Sequence, residues 1–104
     1  MASKIVNILP FDVEMRLKRG EKLQIIDVRE PSEVAMGKIP SAKNIRLSEI
    51  PARVSEIDPN REAIIVCRSG GRSASACEYL MSRGYKKIKN LLGGMMAWDG
   101  NIER

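Results

Sequence analysis

Residues 63–67, Ala-Ile-Ile-Val-Cys, form an unbroken apolar run that ends at a cysteine and passes directly into Arg-Ser-Gly-Gly-Arg-Ser. A short run of this kind, rich in branched residues, reads as a strand buried on both faces, the habit of a mostly parallel sheet. A helical pattern follows from about Arg72 to Ser82. Cys67 therefore stands where strand gives way to loop and loop to helix. Such a loop is rich in backbone N–H groups, and the helix N-terminus behind it adds partial positive charge. That places a thiol at the mouth of a cradle that favours thiolate and can also hold an anion. The competing reading is a buried cysteine that merely closes a strand beside a turn. Two arginines and two glycines crowded against Cys67 favour the first.

The remainder of the chain alternates in the same way. Ile5 to Leu9 reads as a first strand, and Pro10 opens a helix running to Arg19, with Gly20 as its stop. Val13 and Leu17, four apart, share its inner face. Leu23 to Val28 reads as a second strand ending in Asp27-Val28-Arg29. Pro31-Ser32-Glu33 forms the first turn of a short helix that Gly37 and Pro40 break. Asn44 to Arg46 is a brief strand. From Ser48 to Ile57, the spacing of Ile50, Val54 and Ile57 predicts a helix with one buried stripe and Pro51 in its first turn. Asp58-Pro59-Asn60 is a turn. The helix over 72–82 carries Ala74, Cys77, Leu80 and Met81 on one face, and Gly84 ends it. Lys87 to Leu91 is a last strand, followed by Gly93-Gly94 and a terminal helix through Trp98. The expectation is a single α/β domain over residues 1–104, with a mainly parallel central sheet of about five strands flanked by helices on both faces. In sheets of that type ligands bind beyond the carboxyl ends of the strands, where Cys67 and Arg29 both stand.

Composition removes several chemistries. The chain has no histidine, so Ser-His and Cys-His dyads and H-E-x-x-H metal sites are excluded. Its two cysteines, Cys67 and Cys77, are too far apart in sequence for a C-x-x-C pair or a zinc knuckle. If Cys67 is a nucleophile, fixed dipoles and arginines must activate it. Eighteen basic residues against 13 acidic ones give a net charge of +5, with basic residues gathered at 16–22 and 83–89. A solvated basic face accounts for these, and it would also attract a small anion or an acidic partner. Aromatic residues are few and no nucleic-acid motif is present. No apolar stretch approaches the roughly 20 residues of a membrane helix, and the run Ile5 to Leu9 is too short for a signal-peptide core. A cytoplasmic monomer that binds neither nucleic acid nor membrane is the expectation.

Within the loop, Gly70 and Gly71 let the chain curl round a central point. The backbone donors from Arg68 to Ser73, Ser69 included, can then stabilise charge on the sulfur or on a bound anion. Arg68 and Arg72 add bidentate donors for oxyanions. Ser73 either contributes a hydroxyl or caps the following helix. Arg72 follows Cys67 with four residues between, one fewer than in the C-x5-R loop of cysteine phosphatases, and Val66 stands where those enzymes commonly have histidine. The smaller cradle suits a single terminal sulfur atom better than a phosphoryl group.

Four stretches together, Ile25 to Val34 (I-I-D-V-R-E-P-S-E-V), Gly37 to Ile45 (G-K-I-P-S-A-K-N-I), the loop C-R-S-G-G-R-S and Leu91 to Trp98 (L-L-G-G-M-M-A-W), resemble a single-domain rhodanese, a thiosulfate sulfurtransferase-like protein, along nearly the whole chain. The resemblance implies a rhodanese fold, maps the family's persulfide-forming cysteine onto Cys67, and matches its aspartate and arginine after the second strand to Asp27 and Arg29. It implies a sulfane sulfur moving from an anionic donor such as thiosulfate to cyanide, a thiol or a protein cysteine, without metal or organic cofactor. A sulfur-carrier or partner-docking module with little free-standing turnover is the alternative. Lys38 departs from the pattern, since histidine is usual there, and is expected to be structural or on the rim of the site.

Other residues carry more modest readings. Cys77 is a small core hydrophobe in preference to a resolving thiol. Asp27 and Arg29 are a structural pair in preference to an acid and a base. Met95 and Met96 either line the pocket entrance or pack the core, and Trp98 anchors the terminal segment.

Overall fold

In a computed structural model, which describes residues 4–104, the apolar run forms the middle of the sheet. Five strands, β1 (Val6–Ile8), β2 (Gln24–Asp27), β3 (Lys43–Asn44), β4 (Ala63–Val66) and β5 (Ile88–Leu91), lie in the order β1-β5-β4-β2-β3. Every pairing within this sheet is parallel, so the segments that follow the strands all emerge at one end. β4 needs no solvent-facing residue because helices cover both faces, and all four of its residues are buried.

Alternation along β2 and β4 divides the interior in two. Ile26, Val28, Ala63, Ile65 and Cys67 face the helices α3 (Ile50–Arg53) and α4 (Gly71–Ser82), and pack with Ile50, Ala76, Cys77 and Leu80. Ile25, Ile64 and Val66 face the opposite way and pack with Val13 of α1 (Pro10–Lys18), Ile39 and Trp98. Trp98 is thus the anchor expected of it. The fourth helix, α2 (Pro31–Val34), is a single turn closed by a reciprocal capping box between Glu30 and Glu33, the arrangement that satisfies two orphan N–H groups at once. None of the helices among the described residues is long and apolar enough to cross a membrane.

Three sequence expectations are corrected. The helix over 48–57 is only α3, flanked by 3-10 turns at Leu47–Glu49 and Val54–Glu56. Ile50 and Ile57 are buried as foreseen, while Val54 is half-buried. The terminal helix is a single 3-10 turn, Gly94–Ala97. It stays tight because the chain turns back on itself: Met95 N–H donates to the Cys67 carbonyl (2.8 Å) and Met96 N–H to the Arg68 carbonyl (2.9 Å). In α4 the buried face is Ser73, Ala76, Cys77 and Leu80, with Ala74 and Met81 at its margin. The helix is turned so that Ser73 points inward, for a reason found in the site.

Candidate active site

The register of the sheet assembles the site. Asp27 lies opposite Val66, and Val28 N–H donates to the Val66 carbonyl at 2.8 Å, so the segment after β2 runs beside the segment after β4. Cys67 begins the loop. Gly70, at φ +110°, turns the chain and is the residue that precedes α4. Only glycine takes that conformation freely. Gly71 is not in the left-handed region and opens the helix, which corrects the expectation that both glycines are needed for the curl.

The turn directs donors at the sulfur. Gly70 N–H donates to Cys67 Sγ at 3.0 Å, and the Ser73 hydroxyl lies 3.2 Å from it. The amides of Ser69 and Ser73 also stabilise the thiolate. Ser73 is not a helix cap. It is the third residue of α4, and its hydroxyl reaches the Gly70 carbonyl (3.1 Å), Asn90 Oδ1 and the sulfur. Burial pushes the Cys67 thiol up, but the hydrogen bonds from the Ser73 hydroxyl and the amides of Ser73, Gly70 and Ser69 outweigh it and leave the thiol below its ordinary value. These are the opposing effects of desolvation and of hydrogen bonding to the charged form. Cys77, one helix face away in the same core, has no such donors. Burial, with the nearby Cys67 and Glu78 charges, pushes it up to about 12.

One feature of the expected site is different. Cys67 is 1% exposed, so the thiol lies beneath the loop and not at its mouth. The Gly94–Met95 return packs on the backbone of the loop: a Cβ at Gly94 would stand 2.4 Å from the Cys67 carbonyl oxygen and 2.6 Å from that of Arg68. Beside the loop is an open depression of about 350 Å³ lined by Arg29, Glu33, Met36, Arg68, Met95 and Met96.

The arginines have different assignments. Arg72 is already engaged, with Nη1 and Nη2 at 2.6 and 2.8 Å from the two carboxylate oxygens of Glu33. Arg72 holds the Glu33 carboxyl down to about 2. The expectation that Arg72 is open to an anion is therefore corrected by a carboxylate that lies 39 positions earlier in sequence. Arg68 is exposed, lines the depression and has no carboxylate partner among the described residues. Asp27 and Arg29 form a buried bidentate pair, 0% and 6% exposed, with Arg29 Nε to Asp27 Oδ1 at 3.0 Å and Nη2 to Oδ2 at 2.8 Å. Arg29 also donates to the Gly37 carbonyl at 2.8 Å. The pair braces the segment after β2 against the loop that follows α2. Lys38 reaches the Ala42 carbonyl (2.9 Å) and Glu103 (3.1 Å), and its backbone pairs with Glu103. It ties residues 101–104 to that loop and is not part of the depression's lining. Met95 and Met96 do line it.

Three contributors escaped the sequence reading. Glu33 was visible only as part of a helix start. Asn90, a buried polar residue in β5, left a signal: it is an amide between Ile88 and Leu91 at a position that alternates with the outward-paired Lys89. Gly94 gave no sign of its closeness to Cys67, which arises only when β5 and β4 pair. Among the described residues no group of three His, Cys, Asp or Glu side chains could hold a metal ion.

The chain is similar to known proteins. The rhodanese-like domain family matches residues 12–101. A Bacillus subtilis protein named "Putative sulfurtransferase YtwF" is 46% identical over 96% of both chains. The "Sulfurtransferase" of Allochromatium vinosum is 45% identical over 83% of this chain and 80% of its own. A crystal structure of a rhodanese-like domain protein from Staphylococcus aureus superposes with a TM-score of 0.88 at 37% identity, covering 95% of this chain and 97% of that one.

Proposed function

The chain belongs to the rhodanese-like family, and from that premise we propose that it is a sulfurtransferase that carries a sulfane sulfur as a persulfide on Cys67. The observation that carries this reading is the convergence of N–H and O–H donors on Cys67 Sγ in a chain that has no histidine to act as base. Those donors supply the ionised nucleophile that a proton acceptor supplies elsewhere. The Cys67 thiolate attacks the outer sulfur of thiosulfate. A bond forms between Sγ and that sulfur, the sulfur–sulfur bond of the donor breaks, and sulfite leaves with the bonding pair. The negative charge then rests on the terminal persulfide sulfur, which takes over the amides of the loop. A nucleophilic acceptor (cyanide, a small thiol or a protein cysteine) attacks that terminal sulfur, and Cys67 leaves as thiolate. The enzyme alternates between two forms, which gives ping-pong kinetics.

Arg68 is the cation placed to meet an anionic donor, and Arg72, held by Glu33, supports the loop from behind. Because Cys67 is 1% exposed, the surrounding loop restricts access to its sulfur. Small alkylating reagents therefore label Cys67 faster than bulky ones. The decisive experiment is the mass of the intact protein after exposure to thiosulfate and removal of excess. Wild type gains one sulfur atom and Cys67→Ala gains none; no gain on wild type, or an equal gain on Cys67→Ala, contradicts the reading. Comparing cyanide with a protein thiol as acceptor then separates free-standing turnover from the carrier role.

A further inference from the structure

Asn90 is polar, 7% exposed, and sits in β5 beside the strand that delivers Cys67, with Ile65 as its register partner. Its Nδ2 donates to the Gly70 carbonyl at 3.3 Å. A carbonyl oxygen only accepts, so that bond fixes which way the amide faces. Oδ1 is thereby turned to the Ser73 hydroxyl and accepts its hydrogen bond. The hydroxyl has one proton and three neighbours: the Gly70 carbonyl, Asn90 Oδ1 and Cys67 Sγ. The Gly70 carbonyl already receives the Ala74 N–H and Asn90 Nδ2. The contest for the Ser73 proton is therefore between the Asn90 oxygen and the sulfur.

The outcome depends on the charge of Cys67. A neutral thiol donates its S–H to Ser73 Oγ, and Ser73 donates onward to Asn90. A thiolate only accepts, so Ser73 must turn its proton to the sulfur and leave Asn90 Oδ1 buried without that donor, which costs free energy. We propose that Asn90 is a positioning residue that limits the ionisation of Cys67 by competing with its sulfur for the single proton of Ser73. The proposal rests on Cys67 being the reacting thiol, yet its readout needs no sulfur transfer. In the persulfide the charge has moved outward to the terminal sulfur, and the Ser73 proton returns to Asn90. The loop amides hold charge permanently, whereas the hydroxyl follows it through the catalytic cycle.

The charged and titratable groups around Cys67 are Arg68, next in the chain; Arg72, with its partner Glu33 and with Glu30 nearby; Cys77 on α4; and the Asp27–Arg29 pair beside β4. On β5, Lys89 faces the other way and pairs with Glu62. All remain when Asn90 is changed, so a difference between variants isolates the relay. The test is the pH dependence of Cys67 alkylation by iodoacetamide, read on the Cys67 peptide in wild type, Asn90→Leu, Ser73→Ala and the double variant. Asn90→Leu lowers the midpoint by about one pH unit, roughly tenfold more thiolate at a pH below both midpoints. Ser73→Ala raises the midpoint more in the Asn90→Leu background than in wild type. An unmoved or raised midpoint in Asn90→Leu, or the same Asn90→Leu shift in the Ser73→Ala background, overturns the proposal. Should Asn90→Leu not fold, the side-chain amide resonances of Asn90 in wild type decide. They move with the Cys67 midpoint and do not move in Ser73→Ala; movement in both, or in neither, overturns it. Sulfur uptake from thiosulfate is scored separately, so its failure would remove the proposed function and leave the titration result standing.

Discussion

Cys67 and Cys77 share one core, are 1% and 0% exposed, and stand ten positions apart, yet their thiols are displaced in opposite directions. Burial acts on both and raises both, because a thiolate loses its hydration. Cys77 lies mid-helix, where every nearby N–H is spent on the helix itself, so nothing answers the desolvation. Cys67 lies where a strand has ended and a helix has not yet begun, and the unspent N–H groups of that junction turn toward the sulfur. Depth does not set the direction in which a cysteine is displaced in this fold. The direction of the surrounding donors does.

The comparison breaks most visibly in turnover. Cys67→Ala is expected to cost at least about a thousandfold in sulfur transfer, while Cys77→Ala stays within about twofold, measured with saturating thiosulfate and cyanide. Comparable losses from both would erase the distinction. Next comes the close packing of the return after β5 on the loop backbone. Gly94, at φ +59° and against the carbonyls of Cys67 and Arg68, should lose about 2–4 kcal/mol of stability on change to alanine, from overpacking and left-handed backbone together. Gly71, with nothing within 4 Å of a Cβ, should change by about 0.5 kcal/mol or less. Denaturant unfolding of both variants checks the pair.

A smaller effect sharpens the contrast from the side of Cys77. Its folded value is raised above the unfolded one, so its burial stabilises the fold fully below the ordinary thiol value of 9.0, and that contribution is lost as pH rises toward about 12. At neutral pH, Cys77→Ala should be less stable than wild type by about 1–2 kcal/mol through lost packing. Between pH 9.0 and about 12 that gap should close, as unfolding midpoints measured across the range will show. The smallest expected change is at the surface: Arg68→Ala raises KM for thiosulfate about fivefold, less at high salt, as one exposed charge-assisted contact is lost. An effect on cyanide alone would reassign Arg68.

The local parts of this arrangement were legible in the sequence. Strand, loop and helix around Cys67 follow one another within twenty residues, and an apolar run, a glycine and a helical stripe each announce themselves to their neighbours. The partners that arrive from elsewhere were not legible. Glu33 captures Arg72 across 39 positions, Asn90 reaches Ser73 from the next strand, and Met95 N–H bonds the Cys67 carbonyl from beyond the end of β5. Each is fixed by sheet register, which no local pattern carries. For the same reason Ser73 stayed open between a cap and a contributed hydroxyl: its place near a helix start was visible, and the sulfur and amide that turn it inward were not. The helix over 48–57 failed differently, because Pro51 and a short span left too few bonds to hold one continuous α-helix.

If directed donors and not exposure govern the ionisation of Cys67, the two cysteines titrate far apart in one sample. Alkylation across the pH range, read on the two separate peptides, should give a Cys67 midpoint below the ordinary thiol value and a Cys77 midpoint near 12, with both converging when the protein is unfolded in urea. A Cys67 midpoint at or above that of an unfolded thiol would contradict this role of the donors.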